Sequence, residues 1–227
     1  MKRESGYNLK YIKEKICLVL LVFLMLGGCL STQKPPVTIS PSIDKRLYEI
    51  PQQPLTMGIY IDPDLRDHEQ VEKLWHHIIG IQYFVFPLGK PLAEKIGETC
   101  QIIFREVVFL NNREYTALPE EKSLDGILEF RLKDSDIRLQ IEEAVLYAVG
   151  EHKLSLFVTL YDTKSNKLWE DEVFSEGKGL DVVTSHVEWE WWITSGPKFG
   201  PAVDMAIEKI TFHLAQKLTV VEKILGK

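Results

Sequence analysis

An unbroken apolar run over residues 16–26 is the feature that most constrains how this chain can fold. A basic segment precedes it, with Lys2, Arg3, Lys10, Lys13 and Lys15. At ~1.5 Å per helical residue, the run covers only about half of a ~30 Å hydrocarbon core, so it is too short for a transmembrane helix. A basic segment followed by a short apolar run is typical of a secretory signal. We therefore expect residues 1–28 to be removed and to take no part in the fold.

The apolar run closes with Leu26-Gly27-Gly28-Cys29, which resembles the lipobox of bacterial lipoproteins. The resemblance implies cleavage before Cys29 and lipidation of that cysteine, with acyl chains such as palmitate. Because each buried CH₂ contributes ~0.8 kcal/mol, two or more chains hold a protein stably on a membrane. Leu30 follows Cys29 where an Asp would favour the inner membrane, so the outer membrane is expected, with the protein on its periplasmic face. An ordinary secretory signal with a chance cysteine is the alternative.

Charge and cysteine content limit what the mature chain can do. Of 27 Lys and Arg and 33 Asp and Glu, five basic and two acidic residues precede Cys29, which leaves 22 against 31 and a formal charge of −9. Nucleic acid is thereby excluded as an expected partner, because phosphate binding needs a basic face. Cys17 leaves with the signal and Cys29 takes the lipid, so Cys100 has no partner for an intramolecular disulfide. We expect Cys100 to be a small buried apolar residue rather than a nucleophile.

The remaining chain divides into a tether and one domain. Residues 29–54 form the lipidated N-terminus and a Pro-rich stretch, whose composition is that of an extended, semi-rigid linker. Residues 55–227 are expected to form a single domain that faces the periplasm. Its periodicity predicts strands at 55–61, 81–86, 107–110, 126–132, 152–162, 167–176 and 186–194, and helices at 67–79, 91–106 and 202–221.

These elements predict an α+β fold. Helix 67–79 rests on the spacing of Val71, Leu74, Trp75 and Ile78, with Gly80 ending it. Turns are expected at residues 62–64 and 163–166, and a Gly-rich loop is expected around Gly177 and Gly179. The order of elements favours a mainly antiparallel sheet with two or three helices packed on one face, preceded by the cleaved lipoprotein signal and the flexible tether.

Several segments carry a resemblance to a protein family. They are the Pro-x-Gly, helix and short strand of residues 87–110, the Asp-Gly-Ile-Leu-Glu strand at 125–129, the hairpin at 160–169, and the last helix. Together they resemble small envelope lipoproteins of the YajG type and, more distantly, the lipopolysaccharide-assembly and transport-auxiliary lipoproteins. The resemblance implies a protein that is not an enzyme, has an envelope protein partner, and serves as a binding or accessory subunit of an envelope assembly or transport complex. It carries no catalytic residue.

The motifs that could support catalysis or metal binding are incomplete. His68-Glu69 begins like a helical zinc-protease motif, but position 72 is Glu instead of the second His. His76 and His77 point in different directions from one helix, so solvated side chains are the favoured interpretation. Asp62, Asp64 and Asp67 fit turn chemistry better than a calcium loop, since the Gly and the distal Glu are missing. No metal or cofactor is expected, and a hydrolase that uses His68, His76 or His77 is the rival enzyme class.

Three tryptophans make up the candidate interaction site. Trp189 and Trp191 would lie on one face of a strand and Trp192 on the other. They could bind a partner protein, or form a glycan- or lipid-binding module, or be covered within the core. A deep polar pocket would favour the enzyme, whereas a shallow aromatic surface would favour binding.

Overall fold

The computed structural model describes residues 36–76, 80–111, 123–142, 147–182 and 199–227. All of them belong to one compact unit that begins at Lys34. None of the helices in these ranges is long and apolar enough to cross a membrane. The strands in these ranges are β1 Gln53–Ile61, β2 Gln70–His76, β3 Gly80–Phe86, β4 Phe104–Leu110, β5 Gly126–Glu142, β6 Tyr147–Tyr161 and β7 Lys167–Val182. The helices are the 3-10 helix Lys45–Glu49, α1 Pro63–Arg66, α2 Gly89–Ile103, α3 Gly200–Leu218 and α4 Val221–Ile224.

The architecture is α+β, and its main sheet is mixed. Its five strands follow the order β4-β1-β5-β6-β7, and β2 with β3 forms a separate two-stranded sheet. Strand β1 is parallel to both β4 and β5, whereas β5, β6 and β7 pair antiparallel. The expected mainly antiparallel sheet is corrected on this point. The reason is that β1 reaches β4 through a hairpin and a helix, which is the crossover that parallel neighbours require.

The two long helices and one face of the sheet form the core. Helix α3 packs against β6 and β7, and α2 packs against α3. Of the residues that helical spacing predicts for one apolar face, Leu92, Ile96, Cys100 and Ile103 are buried on α2, whereas Phe104 already begins strand β4. The predicted alternation of β6 is confirmed as well, because Leu154, Leu156, Val158 and Leu160 are buried in the same core. Both patterns are buried in one hydrophobic core, and burial of apolar surface is the main favourable contribution to folding.

The helix predicted for residues 67–79 is wrong: Gln70–His76 is strand β2. It pairs antiparallel with β3, with Val71 opposite Val85 and Trp75 opposite Ile81. Leu74 is buried while Val71 and Trp75 are exposed, which is the period-two alternation of a strand. Apolar residues at 71, 74 and 75 also fit a helix. Pairing with a strand later in the chain decided between the two structures.

Strand β7 runs through the glycines that were predicted to form a loop. Gly177 and Gly179 pair with His152 and Gly150 of β6. At Gly179, a Cβ would lie 2.5 Å from the backbone nitrogen of Ala202 in α3. These glycines therefore allow the helix to approach the sheet closely, and close approach of another backbone is a common reason for glycine within a strand.

Residues 36–54, which the sequence assigned to the tether, lie against the domain. Pro41 and Leu47 are buried. Three side chains spaced one turn apart on α3 hold the segment. Asp204 accepts a hydrogen bond from Ser40 N–H at 2.7 Å, and Glu208 accepts one from Ser42 Oγ at 2.8 Å. The Arg46 guanidinium lies 4.1 Å from the ring centre of Phe212. Packing of the described domain thus begins before Leu55, because Leu47 has its own place in the core.

Candidate functional site

The candidate residues from the sequence fall into two groups. Cys29, Trp189, Trp191 and Trp192 lie outside the described residues, as does His77, so lipidation and the tryptophan site remain predictions. His76 is the last residue of β2. His68 and the three aspartates Asp62, Asp64 and Asp67 lie within or next to α1. The structure therefore tests the histidine and aspartate motifs but not the lipid anchor.

A buried histidine close to a serine is the arrangement most like a catalytic site. Nε2 of His152 lies 3.0 Å from Oγ of Ser135. The same hydroxyl donates to Oε1 of Gln70 at 2.6 Å, and the Gln70 amide donates to Glu72 at 2.6 Å. Because the serine proton points to Gln70, Nε2 of His152 must be the protonated nitrogen that donates to Ser135. The hydrogen bonds therefore run in one direction, from His152 to Glu72.

This direction is opposite to the one that a nucleophilic serine needs. Activation requires the histidine nitrogen to accept the serine proton and a third group to hold the other ring nitrogen. Here Nδ1 of His152 has no hydrogen-bond partner among the described residues. The pKa of His152 is lowered to about 4, mainly by burial; the charge of Asp136 opposes the shift and the nearby His68 adds to it. The group is neutral at pH 7, and the arrangement is that of a buried structural network.

Asp62 and Asp67, which were considered for metal binding, are explained by local contacts, whereas Nε2 of His68 is buried with no hydrogen-bond partner among the described residues. Asp62 caps α1, since its carboxylate accepts from Asp64 N–H at 2.8 Å. Asp67 pairs with Arg66 at 3.1 Å, and that hydrogen bond lowers the pKa of Asp67. In the described ranges, no three His, Cys, Asp or Glu side chains converge as metal ligands. Turn chemistry accounts for Asp62, and no metal chemistry follows from this region.

The hairpin of β2 and β3 has one buried face and one exposed face. Its inner side chains include Leu74, Phe84 and Phe86, which are buried. The Phe84 ring meets the Phe199 ring edge to face, with centres 5.0 Å apart. This packing fixes the hairpin on the domain and turns the alternate residues outward. Those residues, which we call the hairpin face, are Val71, Lys73, Trp75, Ile81, Tyr83 and Val85.

The hairpin face is apolar and aromatic although it faces solvent. The exposed fractions of its large side chains are 59% for Val71, 67% for Trp75, 49% for Ile81 and 58% for Tyr83. Single exposed apolar residues need no explanation, but a contiguous group on one small sheet indicates a contact surface. The only charge on this face is Lys73, whose cross-strand partner is Tyr83. The face thus matches a binding surface better than a solvated one.

The N-terminal segment joins the domain beside the hairpin face. The backbone N–H of Val37 donates to the carbonyl of Val85 at 2.8 Å. The next residue, Thr38, contacts the start of α3, where its carbonyl oxygen would lie 2.3 Å from a Cβ on Gly200. Val37 lies eight residue steps after Cys29, and a chain of that length spans at most about 28 Å. A lipid on Cys29 would therefore be connected to the domain at the edge of β3.

A second concave surface lies between α2 and the ends of β1 and β4. It is a wide, open groove of about 490 Å³. Its floor is apolar and its rim carries both charge signs; the lining includes Ile61, Ala93, Gly97 and Phe109 with Arg66, Lys90, Glu94, Glu98 and Gln101. Since none of the buried polar atoms that lack a hydrogen-bond partner belongs to these residues, the groove offers shape without a defined ligand-binding group.

The hairpin face is not evident from the sequence pattern, because the spacing of Val71, Leu74 and Trp75 also favours a helix. The signal that could have found it is the strict alternation over Gln70–His76, in which Gln70, Glu72 and Leu74 fall on one side and Val71, Lys73 and Trp75 on the other. A second alternating run follows directly after Gly80, as expected for a hairpin. Both faces contain apolar residues, however, so alternation alone did not show which one is exposed.

Comparison with known proteins gave only distant likenesses. No protein-family model and no curated protein sequence matches this chain. Among solved structures, a minor lipoprotein from Acinetobacter baumannii is similar with a TM-score of 0.37 and 8% identity, over 76% of this chain and 96% of that one. A neuraminyllactose-binding hemagglutinin homolog from Helicobacter pylori is similar with a TM-score of 0.38 and 10% identity, over 87% and 99%. At these TM-scores the likeness supplies no argument about function.

Proposed function

We propose that this chain is a lipid-anchored envelope protein that acts by binding, as an accessory subunit of an envelope assembly or transport complex. Support for the anchor comes from the lipobox-like Leu26-Gly27-Gly28-Cys29. Support for the outer membrane comes from Leu30, and support for the accessory role comes from the resemblance to YajG-type lipoproteins. All three rest on sequence motifs.

One structural observation carries the choice of binding over catalysis. The described surface presents an exposed aromatic face on a rigid hairpin, next to the point where the segment from Cys29 joins the domain. The arrangement closest to a catalytic one, Ser135 with His152, has its hydrogen bonds directed the wrong way. A shallow aromatic surface close to a lipid anchor suits a protein that functions by binding. The anchor raises the effective concentration of the protein towards binding partners at the membrane.

The anchor is tested by Cys29→Ser in the full chain, expressed in a bacterium that lipidates its exported proteins. The thioether forms only on sulfur, so we expect loss of radiolabelled fatty acid incorporation, with the protein left uncleaved or released. Cys100→Ser is the matched control: it also removes a sulfur, but one buried in α2, and should leave incorporation unchanged. Undiminished labelling of the Cys29→Ser protein would contradict the anchor.

The segment with Trp189, Trp191 and Trp192 is the proposed partner-binding site. Trp191→Ala should weaken co-purification of a partner with the detergent-solubilised protein by ~2 kcal/mol or more while the fold persists, as expected for an aromatic anchor. If these tryptophans belong to the core, the same change should cost ~3–5 kcal/mol of folding stability. Phe174→Ala serves as the comparison, since that ring is exposed on β7 of the main sheet and is not part of the hairpin face. A large fall in melting temperature for Trp191→Ala would argue against a binding site there.

The glycan- or lipid-binding module remains the second candidate. One observation favours lipid binding: the hairpin face carries Trp75, Tyr83 and Lys73. This face is separate from the tryptophan segment at residues 189–192, from which a glycan- or lipid-binding module was first inferred. The rival His-dependent hydrolase is less favoured. His152 is neutral and hydrogen-bonded as a donor, and His68 is next to a short helix that Asp62 caps and beside which Asp67 pairs with Arg66.

A further inference from the structure

The hairpin face has the chemistry of side chains that lie at a membrane surface. Trp75 and Tyr83 each combine an apolar ring with a polar group, and such residues are enriched at the level of the lipid headgroups. Lys73 lies opposite Tyr83 and can extend its ammonium towards phosphates while its methylene groups cover apolar surface. Val71 and Ile81 add aliphatic area on the same side. The face therefore combines all three elements of an interfacial contact: aromatic, aliphatic and basic.

The charge of the hairpin face differs from that of the whole protein. From Cys29 onward the chain has a formal net charge of −9, so the protein as a whole is repelled by anionic headgroups. On the hairpin face, the six residues include one lysine and no carboxylate. Glu72 belongs to the opposite side of β2, where it accepts from Gln70. The exposed side of the hairpin therefore carries no negative charge that would be repelled by an anionic bilayer.

The size of the hairpin face argues against a protein as its occupant. Two strands of seven residues, at ~3.4 Å per residue and ~4.8 Å between strands, present roughly 240 Å². A stable protein interface needs about 800 Å² on each partner. A contact of a few hundred Å² suffices, however, where a covalent anchor already holds the protein at the surface.

The attachment of the N-terminal segment keeps the hairpin face within reach of a bilayer that holds a lipid on Cys29. Val37 is hydrogen-bonded to Val85 at the edge of β3, and Val85 is itself part of the hairpin face. The eight residue steps from Cys29 to Val37 limit the separation to at most about 28 Å, and residues 38–46 are held along α3. The domain therefore cannot extend far from its lipid by releasing a long free tether.

We propose that the hairpin face, with Trp75 and Tyr83, lies in the headgroup zone of the bilayer that holds the Cys29 anchor and so orients the domain on the membrane. This proposal deepens the proposed function and rests on it for the anchor. The rest of the surface, including the groove beside α2 and Phe109, is then left accessible to protein partners.

The test uses the full, lipidated chain and a dye at single cysteines. Cys29 is blocked by lipid and Cys100 is buried, so Tyr83→Cys or Trp75→Cys provides one reactive thiol. Phe174→Cys is the matched control, because Phe174 is also aromatic, 49% exposed and on a strand, but belongs to β7 of the main sheet. The labelled proteins are placed in vesicles of phosphatidylethanolamine and phosphatidylglycerol that contain a headgroup-linked nitroxide quencher.

We expect the dye at positions 83 and 75 to be quenched at least about twofold more than the dye at position 174, because quenching needs close approach to the headgroups. Equal quenching at all three positions, with the protein retained on the vesicles, would overturn the hairpin contact and leave the anchor intact. Protein that does not stay with the vesicles would overturn the anchor, and this proposal with it. Shielding of position 83 in native envelope membranes but not in protein-free vesicles would assign the face to a protein partner and overturn the proposal.

Discussion

Gly177 of β7 lies directly against Ala202 of α3, so closely that a Cβ on Gly177 would be 2.0 Å from the Ala202 carbonyl oxygen. The same Cβ would be 2.6 Å from the backbone nitrogen of Ala206. Both neighbouring atoms belong to the backbone of a helix, so neither can move aside by changing a rotamer. The contact joins the last helix to the sheet and explains why small residues recur on both elements.

Gly177→Ala should destabilise the protein by about 3 kcal/mol or more, at the upper end of the range for overpacking, because the helix itself would have to shift. Urea unfolding followed by circular dichroism measures the change. Glu176→Ala is the control: its side chain is exposed on the neighbouring position of β7, and its effect should stay within about 0.5 kcal/mol. A Gly177→Ala protein as stable as the control would mean that α3 does not approach the sheet this closely.

Leu74 and Trp75 should respond in opposite ways to truncation, since β2 places them on opposite faces. Leu74→Ala is expected to cost about 2–5 kcal/mol, because it leaves a cavity next to the core. Trp75→Ala should change the free energy of unfolding by no more than about 0.5 kcal/mol. Thermal and urea unfolding of the two variants provide the measurement. If both substitutions lowered the free energy of unfolding by similar large amounts, Trp75 would have to be buried as well.

His152 should make stability depend on pH between about 4 and 6.5. Its pKa is lowered to about 4 in the folded protein, while an unfolded histidine has a pKa near 6.5, so the unfolded state binds the extra proton in this window. Stability from this group is therefore fully present above the unfolded pKa and is lost as pH falls towards 4, by up to about 3 kcal/mol. Burial is the main cause, and the opposing charge of Asp136 reduces the effect.

The measurement is the free energy of unfolding at pH 7.5, 6 and 5 for the wild type and His152→Gln. The glutamine amide can still donate to Ser135 but cannot take up a proton, so its curve should be flatter than that of the wild type. His213→Gln is the control, because His213 is exposed on α3, and it should keep the wild-type pH dependence. Parallel curves for wild type and His152→Gln would show that His152 does not titrate as described.

Cys100 should react with thiol reagents only when the protein unfolds. It is fully buried on the inner face of α2, and burial raises the pKa of its thiol, so the reactive thiolate is suppressed in two ways. The labelling rate at pH 8 should rise across the urea transition and match the unfolded fraction. Fast labelling of the native protein would require an open path to the thiol that the packing around Ile96 and Ile103 does not provide.

Periodicity within short segments predicted much of the core. The inward residues of α2 and β6 are spaced at 3.6 and 2 residues, respectively, and both sets are buried as expected. The turn at residues 163–166 also formed, because Asp162 accepts from the backbone of Lys164 and Asn166. In each case the decisive contacts are made by neighbours in the chain, so the local sequence was sufficient.

Contacts between distant segments decided the rest. Whether residues 70–76 form a helix or a strand depended on pairing with Gly80–Phe86, and which face of that hairpin is exposed depended on Phe84 meeting Phe199, more than a hundred residues away. The direction of the His152 hydrogen bonds depended on Gln70 being brought to Ser135. By itself the sequence determined the acidic balance and the apolar faces of the long helices α2 and α3, and it predicts the signal and the lipobox. The tertiary structure alone decided the mixed sheet, the exposed hairpin face and the direction of the buried network, because each arises from packing between residues whose separation in sequence no local pattern encodes.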